Sequence, residues 1–159
     1  MKLATLLYIN NSKGEYLLME RLKEPNKGLM SPPGGKLDFE NAESPSACAV
    51  REAYEECGII SAENDWHLRG IITEKDFPGA GNIMIFLMEY KRLHDELLPE
   101  CNEGELSFIS PEKIMSLDIP VTDRLFFWDR ILNKEEDTFI ISLDCSGYPD
   151  IVKINTEIF

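Results

Sequence analysis

The chain has 159 residues, 43% of them hydrophobic and 9% aromatic, a length and balance that suit one packed domain over residues 1–159 and exclude a disordered tail. Its formal charge of −13 excludes the basic face of a duplex nucleic-acid binder and repels an anionic ligand unless a cation screens it. No stretch approaches the ~20 apolar residues of a membrane span. Cys48, Cys57, Cys101 and Cys145 form no CxxC pair and no matched His spacing, which speaks against structural zinc and for reduced thiols in the cytoplasm.

The apolar run Leu3–Ile9 is short and ends in the polar turn Asn10–Gly14. It reads as a first strand rather than a signal peptide. Tyr16–Arg21 reads as its hairpin partner. Glycines and prolines punctuate Leu22–Gly35 and make it a loop. Ser44-Pro45 is a helix start and Gly58 a stop, so the spacing predicts a helix over Pro45–Cys57. Strands are expected at Leu68–Thr73 and Ile83–Tyr90, with Gly79–Asn82 as the turn between them. Glu105–Ile109 reads as a short strand and Pro111–Met115 as a short helix. Thr122–Leu132 reads as an amphipathic helix with Leu125, Trp128 and Leu132 inward. Thr138–Leu143 and Ile151–Ile154 read as a terminal hairpin.

On the 45–57 helix, Val50, Tyr54 and Cys57, with Ala47 and Ala53 beside them, form the expected buried stripe. Glu52, Glu55 and Glu56 fall at i, i+3 and i+4 and point away from that stripe, toward a cleft. Such a cluster on its own is most often a solvated face. Three like charges held this close also suit a divalent cation bound by oxygen ligands.

More than the trio is arranged around this helix. From Glu43, seven residues lead to Arg51, and Arg51 opens the run R-E-A-Y-E-E-C-G-I, with Gly34-Gly35 upstream. The whole stretch resembles the Nudix box of the Nudix (MutT-like) hydrolases, G-x5-E-x7-R-E-U-x-E-E-x-G-U with U apolar. Seven residues separate Gly35 from Glu43 where the family has five, so the loop carries a two-residue insertion within 38–42.

The resemblance implies an α/β fold, a Nudix-type α/β/α sandwich with a mixed β-sheet. It implies dependence on Mg²⁺ or Mn²⁺ and hydrolysis of a nucleoside diphosphate linked to another group. By position, Glu52, Glu55 and Glu56 match the metal-binding glutamates, and the Gly35 carbonyl matches a further ligand. Arg51 matches the arginine that orients a catalytic carboxylate, and Glu43 the acid that supports the loop. The expected catalytic set is therefore Arg51, Glu52, Glu55 and Glu43. A further metal-binding carboxylate beyond the box is expected at Glu103, with Glu100 and Glu105 close behind. Arg21, Gly34, Gly35 and Lys36 form the expected substrate-binding set, the glycines because backbone without a side chain lets phosphates approach. Base-pocket candidates are Tyr8, Arg21, Met30, Phe77, Asn82 and Phe127.

The first substrate expectation is a nucleoside triphosphate, oxidised or otherwise noncanonical ones included, cleaved to monophosphate and pyrophosphate. The alternatives are a nucleotide sugar, ADP-ribose, a dinucleoside polyphosphate, or a nucleotide-sensing module without catalysis. The expected partner is a small nucleotide, with no duplex nucleic acid and no membrane. A homodimer is left open beside a monomer.

Overall fold

The computed structural model describes residues 1–134 and 137–159. Its strands are β1 (Lys2–Asn10), β2 (Tyr16–Arg21), β3 (Met30–Ser31), β4 (Trp66–Phe77), β5 (Gly81–Leu93), β6 (Gly104–Ile109), β7 (Phe139–Asp144) and β8 (Val152–Ile158). They form one sheet in the order β3-β2-β1-β5-β4-β7-β8, with β6 on the far side of β2. β1 runs parallel to β5 and β4 parallel to β7, whereas β4–β5 and β7–β8 are antiparallel. The sheet is therefore mixed, and both of its faces are covered.

Side chains alternate across a strand, and β1 shows where each goes. Leu7 and Ile9 join Leu17, Met88 and Trp66 beneath the helix α1 (Pro45–Cys57). Tyr8 joins Leu18, Ile72 and Leu87 on the opposite face. There the cover is the short helix α2 (Pro111–Ile114), a π-helical turn (Asp123–Phe127) and α3 (Trp128–Leu132). Tyr8 and Tyr16 both meet the Trp128 ring edge-on, with centroids 5.2 and 5.3 Å away. This is the expected α/β/α sandwich.

The α1 boundaries follow the sequence signals. The Ser44 hydroxyl accepts from the Ala47 N–H at 3.1 Å. Gly58, at φ 68°, lets its own N–H reach the Tyr54 carbonyl and that of Ile59 reach Ala53, which closes the helix end.

Three expectations are corrected. Tyr54 is exposed, and the face of α1 turned inward carries Cys48, Ala49, Ala53 and Cys57 together with Glu52 and Glu56. Small residues bring α1 close to the sheet, and the two carboxylates ride on the edge of that contact instead of pointing away. Leu125 is exposed too, because the π-helical turn adds a residue and shifts the phase, turning Asp123 and Phe127 inward. The 22–35 segment is not all loop: β3 pairs with β2, and 33–37 lies along β1. The Leu7 N–H donates to the Pro33 carbonyl, the Thr5 N–H to Gly35 and the Leu37 N–H to Leu3.

Candidate active site

The docking of 33–37 on β1 sets the site. Gly34 passes so close to β1 that a Cβ there would stand 2.1 Å from the Thr5 carbonyl oxygen. At Gly35 a Cβ would stand 2.2 Å from Glu52 Oε1. The clash at Gly34 is with strand backbone and requires glycine, whereas the one at Gly35 is with the movable end of Glu52, and the approach puts backbone against the α1 carboxylates. The Gly34 N–H donates to Glu56 Oε2 at 2.9 Å. The Gly35 carbonyl accepts from the Thr5 N–H at 2.8 Å and, at longer range, from the Thr5 hydroxyl at 3.4 Å and the Cys48 thiol at 3.8 Å.

Arg51 ties the box together. Its Nε and Nη2 donate to the two oxygens of Glu43 at 2.8 and 2.9 Å. Nη1 donates to Glu52 Oε1 at 2.6 Å, and Nη2 also to the Lys36 carbonyl at 3.0 Å. Nη1 reaches Glu55 Oε2 only at 3.5 Å. The forked contact with Glu43 is the strong kind of ion pair, and the Arg51 guanidinium holds the Glu43 carboxyl below its usual range.

The inserted residues are absorbed locally. Asp38 Oδ1 accepts from the Glu40 and Asn41 N–H groups, and the Glu43 N–H returns to the Asp38 carbonyl at 3.0 Å. The Asp38 N–H in turn donates to Glu43 Oε2 at 2.8 Å. The loop closes on itself, so both Gly35 and Glu43 keep their contacts with α1 residues.

Burial pushes the Glu56 carboxyl up to about 7, helped by the charge of Glu52 and opposed by the Gly34 N–H. Burial raises Glu52 as well, against the pull of Arg51. Two buried carboxyls that feel one another's charge, with only Glu52 of the two paired to an arginine, suit a bound cation. Among the described residues no three acidic, His or Cys side chains converge as a ready-made cage. Mg²⁺ does not call for one, because it keeps several waters and takes one or two carboxylates plus phosphate oxygens. The donors at the site are hard oxygens, and in chemistry they fit Mg²⁺ or Mn²⁺.

These groups open into a cleft of about 670 Å³. Glu52, Glu55, Glu56, Gly34, Gly35, Arg21 and Lys36 all line it. Glu103 does too, with its Oε1 3.0 Å from Lys23 Nζ and its charge felt at Glu56. Glu100 and Glu105 do not line it, and Glu105 lies on β6 opposite Glu20. Of the base-pocket candidates, Arg21, Phe77 and Phe127 line the cleft. Tyr8 is sealed under Trp128, Met30 packs against the core, and Asn82 Oδ1 accepts from the Asp76 N–H in the β4–β5 turn.

The structure adds lining residues that the sequence reading missed. Lys2 and Lys23 contribute cations. Glu74 on β4 and Asp123 in the π-helical turn are 4% and 3% exposed, on the face away from α1. The strand containing Glu74 runs further than the sequence pattern shows, and Thr122-Asp123 reads in sequence as a plain helix start. Only the pairing of β4 with β5 and the extra residue in the π-helical turn bring the two acids together.

These residues are the ones that make up the box noted in the sequence. The NUDIX domain family model matches residues 1–129. The chain therefore belongs to the Nudix family and is a Nudix pyrophosphohydrolase. Among solved structures it is similar to the MutT protein of Bacillus halodurans, at 20% identity over 99% of this chain and 97% of that one, with a TM-score of 0.77. It is similar to the MutT protein of Methanosarcina mazei Go1 at 27% identity, covering 84% and 96%, TM-score 0.70. A third similar fold is the NUDIX domain of Shewanella oneidensis NrtR, solved with ADP ribose, at 13% identity, covering 84% and 86%, TM-score 0.67.

Proposed function

We propose that this protein hydrolyses a phosphoanhydride of a nucleoside triphosphate, releasing the monophosphate and pyrophosphate, with Mg²⁺ or Mn²⁺ as cofactor. The observation that carries this reading is the buried Glu52–Glu56 pair beside the Gly34-Gly35 backbone, at the mouth of a cleft that also holds Arg21, Lys2, Lys23 and Lys36. Glu52, Glu55 and Glu56 would hold the cation, with Glu103 across the cleft and the Gly35 carbonyl beside them. When bound, the cation supplies charge neutralisation and Lewis acidity at the phosphate oxygens.

The remaining work belongs to the chain. Arg51 fixes the Glu52 carboxylate and, through Glu43, the loop that carries Lys36. Glu55 is exposed and only weakly held by Arg51, so its carboxylate is free to take a proton from the attacking water. Lys and Arg side chains receive the outer phosphates and offset the repulsion of a −13 chain. Phe77, Phe127, Ile83 and Ile85 supply an apolar slot for a base.

In this reading the 159 residues work as one unit in the cytoplasm, where free thiols such as Cys48, Cys57, Cys101 and Cys145 persist. The test is a panel of nucleoside triphosphates, nucleotide sugars, ADP-ribose and dinucleoside polyphosphates in Mg²⁺ and then Mn²⁺. Released phosphate is read with and without added pyrophosphatase for the triphosphates, and after added phosphatase for the other compounds, whose cleavage yields phosphomonoesters. Signal from the triphosphates only when pyrophosphatase is present supports the proposal. Turnover confined to the other compounds, or none at all, contradicts it.

A further inference from the structure

The turn that carries Glu103 and the loop that carries Lys23 are fastened side by side. β2 and β6 pair through Arg21 and Gly104, and the Leu22 N–H extends that ladder to the Glu103 carbonyl at 3.0 Å. The strands lie so close here that a Cβ on Gly104 would collide with the Glu20 carbonyl oxygen. Arg21 Nε donates to the Pro25 carbonyl at 2.8 Å and ties down the loop that follows β2. Across this frame Lys23 Nζ stands 3.0 Å from Glu103 Oε1. Among the described residues, Lys23 is the only cation lining the cleft that is paired with an acid lining it. The charge of Glu103 is felt at Glu56, so the pair borders the α1 carboxylates.

This pairing sets two demands of the site against each other. A carboxylate held by an ammonium group offers a cation less attraction, and the held ammonium offers a phosphate less. A triphosphate that arrives with a divalent cation satisfies both groups at once. We propose that Lys23 is a positioning residue that holds Glu103 in the unliganded protein, and that the pair splits on loading, Glu103 turning to the cation and Lys23 to the phosphates. The inference rests on the cation reading of the site and adds a coupling to it. Each ligand makes the other bind more tightly, and by the same factor.

The two side chains are 60% and 43% exposed, and a pair this open to water is weak. The effect is therefore a few-fold. Removing any lysine near the site also favours a cation by relieving repulsion, whatever that lysine touches. A double-mutant cycle separates the two causes, because only a latch acts through Glu103.

The test measures Mn²⁺ binding by electron paramagnetic resonance, without nucleotide and with a non-hydrolysable nucleoside triphosphate. The proteins are the native one, Lys23→Gln, Glu103→Gln and the double variant. Without nucleotide, Lys23→Gln should bind Mn²⁺ about 3-fold more tightly than the native protein. In the Glu103→Gln background the same change should move the affinity by less than about 1.5-fold. The nucleotide should tighten Mn²⁺ binding in the native protein, and by about 3-fold less in Lys23→Gln. Equal tightening in both backgrounds, or none in Lys23→Gln, overturns the latch; the cation reading then stands if the native protein binds Mn²⁺ with nucleotide. No Mn²⁺ binding by the native protein in either condition overturns both. The predicted cycle without turnover of any triphosphate supports the latch and overturns the hydrolase reading.

Discussion

Each carboxylate of the site carries a different duty, set by its neighbours. Glu43 is consumed by Arg51 and by the Asp38 N–H, so it holds shape. Glu52 and Glu56 are buried and raised toward neutrality, which suits the cation-holding role proposed for them. Glu56→Gln should therefore lower kcat by at least about 100-fold while nucleotide KM moves little, as steady-state rates would show. Glu74 and Asp123 give a pH signature of their own. Burial lifts them to about 7 and about 8. A raised carboxyl binds its proton more tightly in the fold than in the unfolded chain. Its stabilising share is complete below the unfolded pKa and is lost as pH rises through the folded value. Tm of the native protein should thus fall from about pH 5 to about pH 8, and less steeply in the Glu74→Gln/Asp123→Asn double variant, which calorimetric melting measures. A double variant with the native slope would show that the pair does not titrate in this range. The box acids and Arg51 were legible in sequence because their spacing is local. Glu74 and Asp123 were not, since nothing near either residue marks it as buried.

At the level of elements, α1 owes its position to small residues and its ends to Ser44 and Gly58. Its start and stop could be read directly, because caps are chemistry of adjacent residues. Its buried face could not, because hydrophobicity favours Tyr54 over Ala49 as an inward residue. The sheet prefers Ala49, since an alanine lets the helix come close. The same limit applies to Thr122–Leu132, where a single extra residue in the turn overturns the phase that put Leu125 inside. The Gly34-Gly35 segment makes the sharpest element-scale prediction. In Gly34→Ala the new methyl meets the Thr5 carbonyl, and we expect a loss of about 2–4 kcal/mol and a Tm lower by roughly 5–15 °C. In Gly35→Ala the methyl meets the Glu52 carboxylate instead. There the larger effect should be on kcat, because a side chain can move where a strand cannot. Equal melting losses in the two variants would argue against that division.

Across the whole molecule, the sheet separates two tasks. α1 on one face gathers the carboxylates, the opposite face supplies the apolar slot, and the 33–37 segment along the edge of β1 joins them. The mixed α/β/α architecture was legible because the strand runs, the 45–57 helix and the box agree with one another. The division of the cleft was not, because it depends on β1 pairing with β5 and β4 with β7, contacts between segments far apart in the chain. A strongly acidic chain that binds a polyphosphate must have positive charge delivered to its cleft, and the lysines and arginines there are few. The most direct measurement is Mn²⁺ binding by electron paramagnetic resonance, with a non-hydrolysable nucleoside triphosphate present, in the native protein and in Glu52→Gln/Glu56→Gln. Saturable binding that weakens by at least about 10-fold in the variant is expected. Equal binding in the two proteins, or none in the native one, would contradict it.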